Sequence, residues 1–450
     1  MSLSFEQLYP GISPEGRAYL EGLAEHPHAP RFRNASGHRL RSHELDEVRT
    51  FHERERGSPS CCEPHPAWLD PFVAHLREHV PFFRHFPSGA FAVLPTTSRA
   101  DLARDIAAFV PDNLPTSEII QFETTGTTGH RIVIASHPKV TANHLAFLKK
   151  ALALHGIELS ATGGHTAVVL AGFQESSFTY TSVNPLHDEA GIVKLNLHPN
   201  DWNDPSDRAR YLDWLAPELV TGDPLSLPEL SHLGMTHRPK AAMSTSMMLA
   251  PALRQELSNR LGCPVVDVYS MNESGPIAAK GPVGEDFHLL QSCLLVELLD
   301  PLGNEVAPGQ RGEITLTGGY NPYLPLFRYR TGDWAARHPT EARRLVDLEG
   351  RSPVRFRDGQ GRWLNNIEVS RCLAAFALPQ FQLHQDSQGS FHLRLHPAAR
   401  DVNNIRQALE TLLASPVNIG ALEPKDKVVA YTSDLANHPS VAGPTSRPVA

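Results

Sequence analysis

The sequence predicts an α/β fold that ends in a smaller α+β unit, and three observations carry the prediction. Between about residue 138 and Met271, segments with apolar residues at helical spacing alternate with short β-branched runs, the pattern of a layered domain with a largely parallel sheet. From about Leu289 the pattern changes to period-two alternation, clearest from Glu313 to Thr317, which belongs to strands. Beyond LEGRSPVRFRDGQGRW, whose Gly, Pro and Arg residues read as a linker, a short set of helix and strand patterns resumes. At 450 residues the chain exceeds one ordinary core, so two domains are expected, residues 1–350 and 351–450, divided near Gly350.

Taken in order, residues 1 to about 65 mix short helical patterns with polar stretches such as RNASGHRLRSHE and close on the turn-rich GSPSCCEPHP. WLDPFVAHLREHV has apolar residues at helical spacing, PFFRHFPSG is a loop, and ADLARDIAAFV is a short helix broken by Pro111. TTGTTG, residues 124 to 129, then separates two apolar, β-branched runs. VTANHLAFLKKALALHGI is an amphipathic helix and HTAVVLAGF a buried strand. DRARYLDWLA, ELVTG, PELSHLG, PKAAMST, APALRQELSNRLG and PVVDVYS continue the alternation. CLLVELLD, the turn PLGNEVAPGQ and RGEITLTGG form a strand, turn and strand. IEVSRCLAAF, FHLRLHP, VNNIRQALETLLA and KVVAYTS make the final α+β unit, and NHPSVAGPTSRPVA, from residue 437, reads as a flexible tail.

Composition narrows the function classes. A formal net charge of -8 disfavours nonspecific binding to nucleic acid or an anionic membrane, and no apolar stretch approaches the roughly 18 residues of a spanning helix. A cytoplasmic protein is expected. The five cysteines have no CxxC spacing. Cys61, Cys62 and His65 offer metal-ligating groups, but no second ligand pair lies nearby, which favours a surface loop. The 24 histidines are spread over every segment and define no site.

Three stretches carry chemistry. In TTGTTG, successive backbone N–H groups and hydroxyls can converge on a phosphate, although the residues would equally suit a tight hairpin turn; the loop is not a GxxxxGK[ST] sequence. VYSMNESGP places Tyr269 at the end of a parallel strand, where open α/β sheets bind ligands, and Glu273 four residues on. A tyrosine face can stack on a purine, and a glutamate oxygen suits a Mg²⁺ that bridges phosphates; the plainer reading of Tyr269 is a core residue. In FRYRTGDWA, Asp333 can accept hydrogen bonds from two vicinal ribose hydroxyls, or pair at the surface with Arg328 or Arg330.

Taken together and in order, TTGTTG, VYSMNES, YRTGD and EGRSP resemble the successive core motifs of the adenylate-forming superfamily of acyl-CoA synthetases and adenylation domains. HVPFFRHF with LPTTSRADL, and EDFHLLQSCLLVELLD continuing to FRYRTGD, are similar to the phenylacetate-CoA ligase branch, so the resemblance covers about residues 70 to 370. It implies a large N-terminal domain of layered α/β sheets with a distorted β-barrel subdomain, and a small C-terminal α+β domain. It also implies a reaction in two steps. A carboxylate attacks the α-phosphate of ATP, pyrophosphate leaves, and the acyl-adenylate passes to a thiol, usually coenzyme A, after the small domain rotates.

By motif matching, Thr124, Thr125, Gly126, Thr127, Thr128 and Gly129 would hold the phosphates, Tyr269 would lie against adenine with Asn272 in the nucleotide site, and Asp333 would hold the ribose. Glu273 would bind Mg²⁺ and, with Arg351 of the interdomain region, act in catalysis. Phe173, Phe178 and Tyr180 of GFQESSFTY would line the acid pocket, against ordinary core packing as the plainer reading. The implied cofactors are ATP and Mg²⁺. The implied partners are a small carboxylic acid, aromatic in kind, and coenzyme A or a carrier protein, with a homodimer as one expected assembly and the chain serving a biosynthetic pathway.

The sequence also departs from the pattern. The phosphate loop continues His130-Arg131 where the family has Gly-Lys-Pro or similar, and Gly350-Arg351-Ser352-Pro353 places a φ-fixing proline at the hinge. The C-terminal Gly-Lys pair of the family is absent, leaving Lys425, Lys427 or Arg447 as substitutes. Loss of such a cation costs roughly 3 kcal/mol, on the order of a hundredfold in rate. A second expectation follows: a degenerate protein that binds an acid or acyl-adenylate with little or no adenylation. A ligase that hands its acyl group to an amine, an alcohol or a carrier protein is a third.

Overall fold

In the computed structural model, residues 3–124, 132–350, 354–423 and 428–435 are described. Thr125 to Gly129, Arg351, Lys425, Lys427 and the tail from residue 437 lie outside them, and Thr124 is placed only as a strand residue. The chain packs as two compact units, Met1–Ser352 and Pro353–Ala450.

The first unit is built on one sheet of 13 strands. Its strands are β1 (Thr97–Ser98), β4 (Thr166–Gly172), β5 (Tyr180–Asn184), β6 (Ala190–Asn196), β7 (Leu219–Gly222), β8 (Ala241–Ser244), β9 (Val265–Met271) and β10 (Gly275–Lys280). They continue with β11 (Phe287–Leu289), β12 (Leu294–Leu299), β13 (Arg311–Gly318), β14 (Leu326–Arg337) and β15 (Arg344–Glu349), while β2 (Ile120–Thr124) and β3 (Ile132–Ser136) form a separate antiparallel hairpin. β6, β4, β7, β8 and β9 are parallel neighbours in that order, with β5 antiparallel on the β6 edge. The antiparallel strands are hydrogen-bonded into the same sheet through the β9–β10 pair.

Helix Pro138–Ala153 covers one face of the parallel strands, and its sequence explains it. The His137 side chain caps the first turn by accepting from Lys139 N–H, Pro138 is preorganised at the first position, and Val140, Ala146, Phe147, Ala151 and Leu152 are buried. Its apolar stripe packs on Val168, Leu219, Met243 and Val266. Residues 42–57, within the segment expected to mix short helical patterns with polar stretches, form one continuous 16-residue helix. It buries few apolar groups, but Glu55 is fully buried and accepts from Lys150 Nζ at 3.0 Å and Ser292 Oγ at 2.5 Å. A charged pair, not a hydrophobic stripe, seats this helix beside Pro138–Ala153.

The second unit has its own core of Phe356, Leu383, Phe391, Leu393, Ile405, Leu409 and neighbours. β16 (Arg355–Arg357) and β17 (Trp363–Asn365) make a hairpin. β18 (Phe381–Gln385), β19 (Phe391–Leu395), β20 (Val417–Ala421) and β21 (Tyr431–Ser433) make a four-stranded sheet beside helices Asn366–Leu373 and Val402–Leu413. Among the described residues no helix is long and apolar enough to cross a membrane.

Candidate active site

The site forms where β9 ends. β9 is the last parallel strand, and the chain turns through Asn272, Glu273 and Ser274 into antiparallel β10. Buried Gln291 locks this turn by donating from Nε2 to Ser274 O at 2.8 Å and Pro276 O at 2.7 Å. Gly275 must be glycine: its φ is +70°, and a Cβ there would lie 1.8 Å from the Tyr320 hydroxyl. Glu273 is thereby fixed with 4% exposure, while Asn272 points to solvent.

β14 supplies the facing wall. Its pairing with β13 slips around Gly332, where Glu313 accepts from Gly332 N at 3.0 Å and from Arg330 Nη1 at 2.6 Å. Asp333 N donates to Thr331 Oγ1 at 3.1 Å. This local turn presents the Asp333 carboxylate to Tyr269, whose hydroxyl donates to Oδ2 at 2.8 Å. The surface pairing considered for Asp333 is therefore not its main geometry: Arg328 is buried against Glu297 at 3.1 Å, and Arg330 pairs with Glu313. Burial, reinforced by Asp333, pushes the Tyr269 hydroxyl well above its ordinary range, so it remains a donor.

Two residues that sequence reasoning did not single out complete the cluster. The Arg99 guanidinium reaches Glu273 Oε1 at 3.0 Å, and the Tyr329 hydroxyl donates to the same oxygen at 3.2 Å. Burial, and then Glu273, raise the Tyr329 hydroxyl likewise. Arg99 is delivered by β1, which pairs in parallel with β14 through Thr97 and Tyr329, with Thr97 Oγ1 donating to Phe327 O at 2.7 Å. Phe83, Phe86 and Phe91 of the preceding segment pack around the Phe327 ring at 5.5 to 5.7 Å, so the stretch is docked before the arginine is reached. The signal was present in LPTTSRADL, but an isolated arginine in a loop-to-helix junction points to no partner by itself.

Tyr269, Glu273, Asp333, Arg99 and Tyr329 thus share one cluster. The three aromatic residues of GFQESSFTY do not join it. Phe173 follows β4 and lies 5.9 Å from the His198 ring, while half-exposed Phe178 meets Tyr180 edge-on at 5.7 Å. β7 and β8 stand between β4 and β9.

A further charged group sits at the foot of the β2–β3 hairpin, which carries the TTGTTG loop. Glu44, Glu118 and His137 bring ligand atoms within 4.8 Å of one another. A metal does not suit this trio. His137 Nδ1 accepts from Lys139 N–H, which leaves the proton on Nε2, and Arg41 already bridges Glu44 and Glu118 at 3.0 Å. The group ties Glu118, just before β2, to His137, just after β3. His65 of the Cys61-Cys62 segment pairs with Asp70 at 3.1 Å.

No protein-family model matches the chain. Over 350 residues it is 24% identical to phenylacetate-coenzyme A ligase of Aromatoleum evansii, covering 70% of this chain and 76% of that protein. It is 20% identical to protein CapK of Staphylococcus aureus, over 58% of this chain and 55% of that one. The crystal structure of 2-hydroxyisobutyryl-CoA ligase in the postadenylation state superposes with a TM-score of 0.58 at 17% identity, covering 83% of this chain and 91% of that one. The chain is thus similar to adenylate-forming ligases, and among them to the phenylacetate-CoA ligase-like branch. A shorter stretch is 35% identical to phenylacetate-coenzyme A ligase of Pseudomonas putida, over 22% of this chain and 24% of that protein. The mixed α/β architecture is that of adenylate-forming ligases.

Proposed function

We propose that this adenylate-forming protein activates an aromatic carboxylic acid with ATP, releasing pyrophosphate, and passes the acyl group to coenzyme A or another acceptor in a biosynthetic pathway. The observation that carries the reading is the pair of carboxylates, Asp333 and Glu273, held by tyrosine hydroxyls on either side of the β9 turn.

Asp333 suits the ribose: Tyr269 fixes one carboxylate oxygen and orients the group toward vicinal hydroxyls. The tyrosine ring keeps a half-buried face for adenine. Glu273 suits Mg²⁺. Its Oε1 is occupied by Arg99 and Tyr329, while Oε2 has no hydrogen bond among the described residues, and Mg²⁺ typically takes one or two carboxylates together with substrate phosphates. Bound there, the ion would neutralise phosphate charge. Arg99 adds a fixed cation from the protein at the same end of the site, and Thr124 to Gly129 are placed by sequence to cradle the phosphates.

Acid-dependent exchange of labelled pyrophosphate into ATP, across a panel of aryl and short-chain acids, tests the reading. Exchange by the natural protein, reduced roughly a hundredfold or more by Glu273→Gln, is the expected result. Silence across the panel would favour the second reading, a protein that binds acyl-adenylate without forming it. That reading rests on the missing Gly-Lys pair, and tight binding of an acyl-sulfamoyl adenosine without turnover would establish it.

A further inference from the structure

Lys194 is a half-buried lysine of the first unit on which no neighbouring charge acts. Lys139, Lys150, Lys240 and Lys280 each meet a carboxylate, at 2.6, 3.0, 2.5 and 2.6 Å. Lys149 and Lys194 meet none among the described residues; the charges of Arg56 and Glu158 act on Lys149, whereas Lys194, half-buried in the middle of β6, has no charged neighbour acting on it. It stands opposite Tyr180 of β5 and beside Leu170 of β4. Its ammonium lies 5.9 Å from the centre of the half-exposed Phe178 ring. Burial alone lowers its affinity for a proton, with no neighbouring charge of either sign contributing.

Holding an ammonium partly out of water with no counter-charge costs free energy, and a single aromatic face recovers only a fraction of it. The cost makes sense where an anion arrives from outside. The place is also suitable: Lys194 lies two residues before the C-terminal end of β6, and at that end of the parallel strands β9 carries Tyr269 and runs into the turn that holds Glu273.

We infer that Lys194, with Phe178 and Tyr180, recognises a second carboxylate at the far end of the acid that the protein activates. This rests on the proposed acid activation. β6 is four strands from β9, about 19 Å at ordinary strand spacing. Lys194 is in register with Leu170, Thr221, Met243 and Val266, the face that helix Pro138–Ala153 covers, while Tyr269 stands on the other face, so a molecule that reaches both passes over the C-terminal ends of the strands and is extended, built on linked or fused rings with an acid group at each end. Phe178 and Tyr180 supply flat walls for such rings and Lys194 the terminal cation.

A matched pair of probes tests this: a biphenyl monocarboxylate and the corresponding para,para′ dicarboxylate, which share one ring framework and differ in the distal carboxylate. Calorimetric binding to the natural protein should favour the dicarboxylate roughly tenfold or more, as expected for a charge-assisted contact. In Lys194→Met the preference should collapse toward equality, while Lys194→Arg should retain much of it. Equal binding of the two acids by the natural protein, failure of both to bind, or a preference unchanged in Lys194→Met would overturn the assignment. Pyrophosphate exchange with the same acids reports separately on adenylation, so a protein that discriminates the acids but exchanges nothing leaves Lys194 standing and removes the catalytic reading. Melting of each variant separates misfolding from loss of recognition.

Discussion

At the scale of residues, the site is defined by who holds each carboxylate. Glu273 is held by a guanidinium and a phenol, so its position survives without any ion. Arg99 should therefore matter in two ways, as a clamp and as a charge. Arg99→Ala is expected to lower pyrophosphate exchange by roughly ten- to a hundredfold, and Arg99→Lys to recover only part of it, because a point charge cannot reproduce the planar fork. Equal exchange in all three proteins would exclude a role for this arginine. Tyr269→Phe removes one hydrogen bond to Asp333 but keeps the ring. Its expected effect is a several-fold rise in the KM for ATP with kcat little changed, consistent with about 1 kcal/mol for a single hydrogen bond. A fall confined to kcat would show that the hydroxyl acts in the chemical step instead.

At the scale of elements, helices and strands with strong apolar periodicity were legible, and those held by polar contacts were not. Pro138–Ala153 announces itself through a cap, a proline and a stripe, whereas Ser42–Gly57 has Val48 as its one buried aliphatic residue and depends on Glu55 meeting Lys150 and Ser292 far along the chain. The same limit applied in the site. Tyr269, Glu273 and Asp333 stand in recognisable motifs, but the Arg99 contact depends on the two-residue strand β1, too short to have a period. The packing of Ser42–Gly57 on Pro138–Ala153 also has a pH signature. His52 Nε2 donates to Ala142 O at 3.0 Å, and burial lowers the imidazole from 6.5 to about 4. As pH falls from 6.5 toward 4, the unfolded chain takes up a proton that the folded His52 refuses, so stability from this group is lost across that window. His52→Gln, which keeps a donor for Ala142, should reduce the fall in Tm between neutral pH and pH 5 by on the order of 2 °C. An unaltered Tm profile would assign the acid sensitivity elsewhere.

At the scale of the whole molecule, each unit carries a core of its own. Residues 353–450, expressed alone, should therefore unfold cooperatively by circular dichroism; a gradual transition would show that this unit depends on the first. The first unit has a different dependence, along the chain. Thr97 and Phe327 are bonded across 230 positions, and Arg99 and Glu273 across 174. Closing a loop of the larger size costs about 5 kcal/mol of chain entropy before any contact rewards it. During synthesis, the segment around β1 emerges early and has no strand to join until β14 leaves the ribosome. The Arg99–Glu273 cluster then arises in one late step, and under the proposed function a prematurely terminated chain cannot sequester ATP however much of its parallel sheet has formed.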